Sequence, residues 1–233
     1  MKNFKIYDCG NNERMACRQT TFQACYMLAN SLGCDVRLGR NARGALLLSL
    51  REFAHELPAV ASSNDTDVVV YDVETTGLDS DKDEVLQLSI VDGNGDTLFS
   101  SYIKPYFTTS WEAAQVVHGI TPQDVADAPY PHEVIPVIKG IFNAASNHVS
   151  YNGVFDRGFL KWWGIDFDAA VQHDVMLEFA PIYGEWNEFR QDWKWKKLCE
   201  CAAYYDYQFQ AHDALEDVKA TLHCWKKIHE DEV

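Results

Sequence analysis

The sequence has no apolar run long enough to cross a membrane, and its first eight residues lack the hydrophobic core of a signal peptide. It has seven cysteines, an odd number, and no Cys-x-x-Cys pair. These absences disfavour membrane-spanning proteins and secreted proteins built on disulfides. We expect a soluble protein that works in the cytoplasm with reduced thiols.

Positive charge is also scarce, with 20 Lys and Arg against 35 Asp and Glu, a formal net charge of −15. Residues 1–66 hold eight basic and six acidic residues, so the acidity lies in the remainder of the chain. Such an acidic body disfavours tight non-specific binding to long duplexes, because phosphate neutralisation supplies most of that affinity. A nucleic-acid enzyme is still possible, since bound metal ions can supply positive charge to phosphates. Short or single-stranded substrates, or a basic partner, fit this charge better.

A polar linker at residues 61–66 divides the 233 residues into two predicted units. Residues 1–66 are predicted to form a small α+β appendage, and residues 67–233 a larger α/β domain. The appendage's predicted elements are strands at Phe4–Asp8 and Asp35–Leu38 and helices at Arg18–Leu32 and Ala45–Leu57.

Two clusters in the appendage invite a functional interpretation. Four cysteines are almost evenly spaced: Cys9, Cys17, Cys25 and Cys34. They lack the paired spacing of zinc sites, so incidental thiols are favoured over a metal site. Three arginines follow: Arg37, Arg40 and Arg43. A solvated loop is favoured for them over an edge that contacts phosphates.

The most informative stretch is residues 68–78, which begins as an apolar, β-branched run typical of a strand covered on both faces. Asp72 and Glu74 follow at its end, and residues two apart in a strand point to the same face. Two neighbouring carboxylates repel each other unless a cation lies between them, and oxygen ligands suit Mg²⁺ or Mn²⁺. The alternative is an ordinary strand end. Gly77 permits a tight turn or a close approach to a ligand.

Further elements are predicted along the larger domain. A turn at residues 92–96 should join two antiparallel strands, and Ser110 should cap a short helix. The other predicted elements are strands at Glu84–Val91, Thr97–Ile103 and His148–Tyr151, and helices at His132–Asn143 and Trp195–Ala203. The aromatic segment 184–195 could stack on nucleic-acid bases, but packing in the core or in a lid is favoured.

Two later segments add carboxylates near predicted helix starts. Asp156 lies in the first turn of a helix that begins after Asn152, and Asp217 lies about one turn into the last helix, with His212 just before it. Stabilisation by the helix dipole would explain the two acids without a function. Together with Asp72 and Glu74, however, they make four carboxylates at element ends with one nearby imidazole, so that candidate metal ligands and a candidate base occur in one set.

At this point the sequence resembles the DEDDh branch of the DnaQ-like 3′–5′ exonucleases, which share a ribonuclease-H-like fold. The resemblance rests on residues 72–78 (Asp-Val-Glu-Thr-Thr-Gly-Leu), 118–121 (His-Gly-Ile-Thr), Asn152-x-x-x-Asp156 and His212-x-x-x-x-Asp217. These motifs occur in the family's order between about residues 68 and 228. Residues 1–66 match no family we know.

The resemblance implies a mixed five-stranded sheet flanked by helices and two divalent ions, Mg²⁺ or Mn²⁺. Their implied ligands are Asp72, Glu74, Asp156 and Asp217, and His212 would accept a proton from the attacking water, since imidazole titrates near neutrality. The residues implied to hold the terminal nucleotide are Thr75, Thr76, Gly77, Leu78, His118 and Asn152. In proofreading members a Glu precedes the His of the His-Gly-Ile segment by five positions. Here Ala113 stands there, so recognition of the 3′-hydroxyl is expected to differ.

Three alternatives remain open. An exoribonuclease would use the same catalytic set, although residues 75–78 and 118–120 resemble the proofreading group slightly more. A binding module could use the fold as a scaffold, but the intact acidic set disfavours it. The appendage could dock the enzyme onto a polymerase or another protein partner. The favoured function is hydrolysis of single-stranded DNA from its 3′ end to nucleoside 5′-monophosphates.

Overall fold

The computed structural model describes residues 67–230 in full and residues 2–4, 34–40 and 46–52 as strands. These three strands are β1 (Lys2–Phe4), β2 (Cys34–Arg40) and β3 (Leu46–Glu52), and they form an antiparallel sheet in the order β1-β3-β2. The strand predicted around Asp35–Leu38 is confirmed within β2. The strand predicted at Phe4–Asp8 overlaps β1 at Phe4, and the rest of it lies outside the described residues.

The helix predicted over Ala45–Leu57 is wrong, because residues 46–52 form β3. The run of leucines suits a helix by intrinsic propensity. In the structure all seven residues pair with β2, and three of them also pair with β1, so sheet pairing overrides that preference. Arg37 and Arg40 lie in β2 and not in the loop that the sequence favoured for them. The helix predicted at Arg18–Leu32, Arg43 and the first three cysteines lie outside the described residues.

The larger unit is built on a five-stranded mixed sheet with the order β6-β5-β4-β7-β8. Its strands are β4 (Val68–Thr75), β5 (Val85–Asp92), β6 (Thr97–Tyr102), β7 (Asn147–Ser150) and β8 (Val171–Asp174). Central β4 pairs antiparallel with β5 and parallel with β7. The predicted mixed five-stranded sheet and the β5–β6 hairpin are therefore confirmed.

Helices cover both faces of this sheet. They are α1 (Glu112–His118), α2 (Pro131–Ala144), α3 (Gly153–Leu160), a 3₁₀ turn (Lys161–Trp163), α4 (Val175–Tyr183), α5 (Leu198–Tyr204) and α6 (Ala214–Ile228). Val69 and Tyr71 pack on one face in a cluster with α2 and α3. Val70 packs on the other face in a cluster with α4, α5 and α6. The prediction that β4 is covered on both faces is confirmed, since all three side chains are fully buried.

The predicted cap of the first helix is wrong for a packing reason. Helix α1 has Trp111 at its N-cap position and no side-chain cap bond, so Ser110 does not cap it. The Trp111 ring is buried against Leu86, Ile120 and Val125, and its indole N–H donates to the Ile120 carbonyl at 2.8 Å. Burial of this large ring therefore sets where the helix begins.

The aromatic segment lies outside the core, so the prediction that it packs in the core is wrong, whereas packing in a lid stays a prediction. It forms a small hairpin of β9 (Trp186–Asn187) and β10 (Asp192–Trp193) in which the two tryptophan rings meet edge to face at 5.0 Å. Phe189 at its tip is 96% exposed, and Trp195 is also exposed. These rings do not pack in the core. No helix within the described residues is long and apolar enough to cross a membrane.

Candidate active site

The end of β4 presents two carboxylates to the layer that contains α6. Asp72 and Glu74 share their side of the strand with Val70, which packs in the same cluster as Val218 and Leu222 of α6. The strand continues to Thr75, five residues beyond the last pairing with β7, which aligns Val70 with Val149. The carboxylates therefore project past the end of a neighbouring strand, where the sheet leaves space for other groups.

Asp156 enters this space from α3. Its Oδ1 accepts a hydrogen bond from the Val73 backbone N–H at 3.2 Å, and the residue is only 2% exposed. Since the β7 pairing has already ended, this carboxylate takes an N–H that no parallel strand reaches. The bond fixes Asp156 beside the strand segment that carries Asp72 and Glu74.

Asp217 enters from the first turn of α6 and is 8% exposed. Both of its carboxylate oxygens accept from the His212 backbone N–H, at 3.3 and 3.2 Å. His212 has a φ of 68°, in the left-handed region that non-glycine residues rarely adopt. The Asp213 carboxylate caps α6 by accepting from the N–H groups of Leu215 and Glu216. Asp217 thus orients the chain that carries the exposed His212 ring.

Ligand atoms of Glu74, His212 and Asp217 all lie within 4.8 Å of one another. Burial, followed by the charges of Asp217 and Asp156, raises the pKa of Glu74 to about 8. Burial also raises the pKa of Asp217 to about 7. The carboxylates of Glu74 and Asp217 lie close together, and both have raised pKa values. A divalent cation bound between them would offset the cost of burial and their mutual repulsion.

The other two carboxylates, Asp72 and Asp156, also have raised pKa values. Burial and the charge of Asp156 hold the pKa of Asp72 well above its usual range, and Asp217 and Glu74 raise it further. Burial raises the pKa of Asp156, although the Val73 hydrogen bond lowers it in part. All four predicted carboxylates therefore share one electrostatic environment.

His118 ties α1 to the end of β4. Its Nδ1 accepts from the Ile120 backbone N–H at 3.0 Å, and its Nε2 lies 3.1 Å from the Thr75 carbonyl oxygen. Because Nδ1 accepts, the proton is on Nε2, which donates to Thr75. Burial lowers the pKa of His118, which keeps the ring neutral in this arrangement. The imidazole is therefore engaged with backbone on both sides.

The turn after β4 is held by Asp83, which the sequence reading missed. Its carboxylate accepts from the Asp79 N–H at 2.9 Å and from the Thr76 hydroxyl at 3.3 Å. A Cβ on Gly77 would lie 2.4 Å from Asp83 Oδ2, so the close approach of this carboxylate requires glycine. Leu78 follows with its side chain 87% exposed. The turn thus presents an apolar side chain beside the carboxylates.

Asn152 lies at the start of α3, the helix that carries Asp156. It has a φ of 65° as the N-cap of α3, and its backbone N–H donates to Asp174 Oδ1 at 3.1 Å. The Gly153 N–H donates to Asp174 Oδ2 at 2.9 Å. Asp174 ends β8, a strand that the sequence analysis did not predict, so its role was also missed. The one sequence signal was an isolated Asp before the apolar run of α4.

Comparison with known proteins agrees with this geometry. A profile of the exonuclease family, named RNase_T, matches residues 69–224. The PolC-type DNA polymerase III of Oceanobacillus iheyensis is 36% identical over 171 residues, which cover 69% of this chain and 11% of that protein. The PolC-type polymerase of Thermotoga maritima is 33% identical over 174 residues, 71% of this chain and 12% of that protein. The chain thus spans about a tenth of the length of these curated relatives.

Solved structures share the fold. Exonuclease X in complex with 5′ overhanging duplex DNA superposes with a TM-score of 0.54 at 20% identity, covering 70% of this chain and 92% of that one. The zinc-bound complex of Escherichia coli exonuclease I with single-stranded DNA gives 0.59 at 19% identity, covering 72% and 41%. The family profile covers most of the chain, and the sequence motifs indicated the same assignment. The chain belongs to the exonuclease family.

Proposed function

We propose that this protein is a metal-dependent 3′–5′ exonuclease that shortens single-stranded DNA from its 3′ end and releases nucleoside 5′-monophosphates. The observation that carries the proposal is the convergence of four carboxylates with raised pKa values and one exposed imidazole at the end of β4. Family membership supports the nuclease chemistry. The PolC-type relatives, which are DNA polymerases by name, support DNA as the substrate.

We propose two Mg²⁺ or Mn²⁺ ions as cofactors, held by Asp72, Glu74 and Asp217 with Asp156 in support. Such ions supply charge stabilisation to the phosphate and lower the pKa of bound water. The chain's own contribution is the placement of four oxygen ligands on three rigid elements: β4, α3 and α6. The bond from Val73 to Asp156 and the packing of α6 on β4 hold these elements in register.

His212 is the proposed proton acceptor. It is exposed at the mouth of the site, and its backbone is held by Asp217, so the ring stays beside the carboxylates while remaining open to water. A base within reach of the attacking water is expected to contribute about 10²- to 10⁴-fold to the rate.

The terminal nucleotide is proposed to lie between the turn after β4 and the start of α3. Thr75, Thr76, Gly77 and His118 form one wall, and Asn152 lies on the other. Leu78 supports this placement because its exposed side chain could pack against a base, which would remove apolar surface from water. Glu112 and Ala113 are both exposed at the start of α1. Ala113 stands where proofreading members have a Glu, and altered recognition of the 3′-hydroxyl stays a prediction.

An exoribonuclease is the second candidate, and one observation favours it: the matching profile carries the name RNase_T. The catalytic set is common to both substrates. The sugar at the terminal nucleotide therefore decides between the two functions.

The test uses 5′-labelled single-stranded DNA and RNA of one sequence, with Mg²⁺ or with EDTA, followed over time. We expect Mg²⁺-dependent shortening from the 3′ end, faster on DNA. Asp72→Asn should abolish it. The matched control is Asp96→Asn, which removes an exposed carboxylate in the β5–β6 turn at the opposite end of the sheet. Hydrolysis by the Asp72→Asn variant at the wild-type rate would overturn the site, and faster RNA degradation would favour the second candidate.

A further inference from the structure

A second group of metal-ligating side chains lies away from the carboxylate site, and we propose that it binds a transition-metal ion, with Zn²⁺ the best match. Its members are His173 at the end of β8, Glu178 in the first turn of α4, and His229, the C-cap of α6. Their ligand atoms all lie within 4.8 Å of one another. Two histidines and one carboxylate, completed by a water as the fourth ligand, are a common protein ligand set for zinc.

The distances within the group fit a shared ion. His173 Nδ1 lies 3.2 Å from Glu178 Oε1, and His229 Nε2 lies 3.1 Å from Glu178 Oε2. Two ligands bound to one tetrahedral zinc at about 2.0–2.1 Å stand roughly 3.3 Å apart. Only small movements of the three side chains would therefore be needed to place one ion between them.

The neighbours of His173 point to a cation in this gap. Its Nε2 lies 3.2 Å from Asn147 Oδ1. Asn147 Nδ2 is directed at Asp67, 3.4 Å from its carbonyl and 3.2 Å from its carboxylate, so the amide orientation is set and Oδ1 must accept from His173. The His173 proton is therefore on Nε2. A neutral ring then turns the Nδ1 lone pair toward the Glu178 carboxylate, and two acceptors at 3.2 Å repel unless a metal ion or a second proton lies between them.

The hydrogen bond from His173 Nε2 to Asn147 is of the kind that metal-bound histidines make. Ligating histidines usually donate their other N–H to an oxygen acceptor, which fixes the tautomer and the ring orientation. Asn147 supplies that acceptor here, and Asp67 fixes Asn147 in turn. Partners of this kind typically change metal affinity by about 10- to 100-fold when they are removed.

The position of the group separates it from the active site. His229 follows Asp217 by twelve residues along α6 and its end, which is roughly 18 Å at helical rise. All three side chains are partly exposed, so an ion could enter from solvent. Trp225 contacts both imidazoles, with ring centroids at 5.5 Å from His173 and 5.2 Å from His229. A bound ion would join the ends of β8, α4 and α6, and should stabilise the fold without taking part in hydrolysis.

The test is direct metal binding to the 233-residue chain after EDTA treatment and removal of the chelator. In calorimetric titration with Zn²⁺, the variants His229→Gln and Glu178→Gln should each bind one zinc ion fewer than the wild type. The same equivalent should persist in Glu74→Gln, which alters the carboxylate site. Asn147→Ala should weaken it roughly tenfold. Cobalt substitution should give visible ligand-field absorption that disappears in His229→Gln.

Zinc should also raise the melting temperature of the wild type and of Glu74→Gln, but not of His229→Gln. Equal zinc stoichiometry in the wild type, Glu178→Gln and His229→Gln would overturn the proposal and leave a protonated His–Glu–His cluster in its place. Mg²⁺-dependent hydrolysis should be unchanged in His229→Gln. The outcome is independent of the proposed nuclease activity, because zinc binding is measured without substrate.

Discussion

Two residues beside the carboxylates, Asn152 and His212, adopt left-handed backbone conformations, with φ of 65° and 68°. Each is held by a carboxylate that accepts its backbone N–H: Asp174 for Asn152 and Asp217 for His212. Asparagine tolerates this conformation better than most residues, and histidine does so to a lesser extent. The carboxylates of Asp174 and Asp217 thus stabilise strained backbone conformations at Asn152 and His212.

Asp174→Ala is expected to destabilise the protein and to lower activity. The substitution leaves two N–H groups, those of Asn152 and Gly153, without their charged acceptor, which should cost roughly 1–3 kcal/mol in free energy of unfolding. Urea denaturation measures the cost. Adding Asn152→Gly should recover part of the stability, because glycine adopts positive φ freely. No recovery in the double variant would show that backbone strain at residue 152 is not the cause.

The raised pKa values predict how stability depends on pH when metal is absent. The pKa of Glu74 rises from 4.5 to about 8 and that of Asp217 from 3.8 to about 7. At pH values between the ordinary and the raised pKa of each group, the folded state holds protons that the unfolded state has released. The free energy of unfolding therefore falls as pH rises. Melting temperatures in EDTA should therefore decrease between about pH 5 and about pH 8. Mg²⁺ should counteract the decrease, since metal and protons compete for the same oxygens.

The control for this prediction is the double variant Glu74→Gln, Asp217→Asn, in which neither side chain can ionise. Its melting temperature in EDTA should depend less on pH than that of the wild type. An equally steep dependence would assign the effect to other groups.

At the scale of elements, β4 orders the site because it lies in the middle of the sheet with apolar layers on both faces. Its side chains alternate between the α2 and α6 layers, so the strand fixes the direction of Asp72 and Glu74. The turn that follows depends on Gly77, where the Asp83 carboxylate approaches the backbone. The rigid strand and this tightly held turn together fix the positions of the residues proposed to hold a terminal nucleotide.

Gly77→Ala is expected to reduce activity more than stability. The new Cβ would meet the Asp83 carboxylate at 2.4 Å, so Asp83 must move and release its bonds to Asp79 and Thr76. We expect at least a tenfold rise in KM for oligonucleotides and a loss of about 1 kcal/mol in free energy of unfolding. The double variant Gly77→Ala, Asp83→Ala removes the collision, and its stability separates steric conflict from loss of hydrogen bonds. Unchanged KM in Gly77→Ala would place the substrate elsewhere.

At the scale of the whole molecule, the division near residue 66 remains a proposal. The described strands on its N-terminal side form their own three-stranded sheet, and the family match begins at residue 69. Residues 1–66 carry a net charge of +2 within a protein of −15. Docking of a protein partner by this segment, as the sequence suggested, also stays a prediction.

A chain comprising residues 67–233 is expected to fold and to retain Mg²⁺-dependent hydrolysis of short single strands. All three described hydrophobic clusters and all four carboxylates lie within it. Circular dichroism and the labelled-oligonucleotide assay, run beside the full chain, measure the two properties. A kcat within about twofold of the full chain would support two independent units. An unfolded product would show that residues 1–66 complete the core.

The amino-acid sequence by itself determined the central strand and the β5–β6 hairpin, because strand alternation and turn residues are local properties of the chain. It also singled out the four carboxylates and His212, whose roles stay a prediction. Predictions from the sequence were wrong where long-range packing decides the secondary structure. Residues 46–52 join a sheet despite their leucines, and Trp111, not Ser110, is the N-cap of α1. Only the tertiary structure revealed Asp83 and Asp174 as backbone anchors and brought His173, Glu178 and His229 together. His173 and His229 stand 56 positions apart, and sequence spacing carries no record of such a contact.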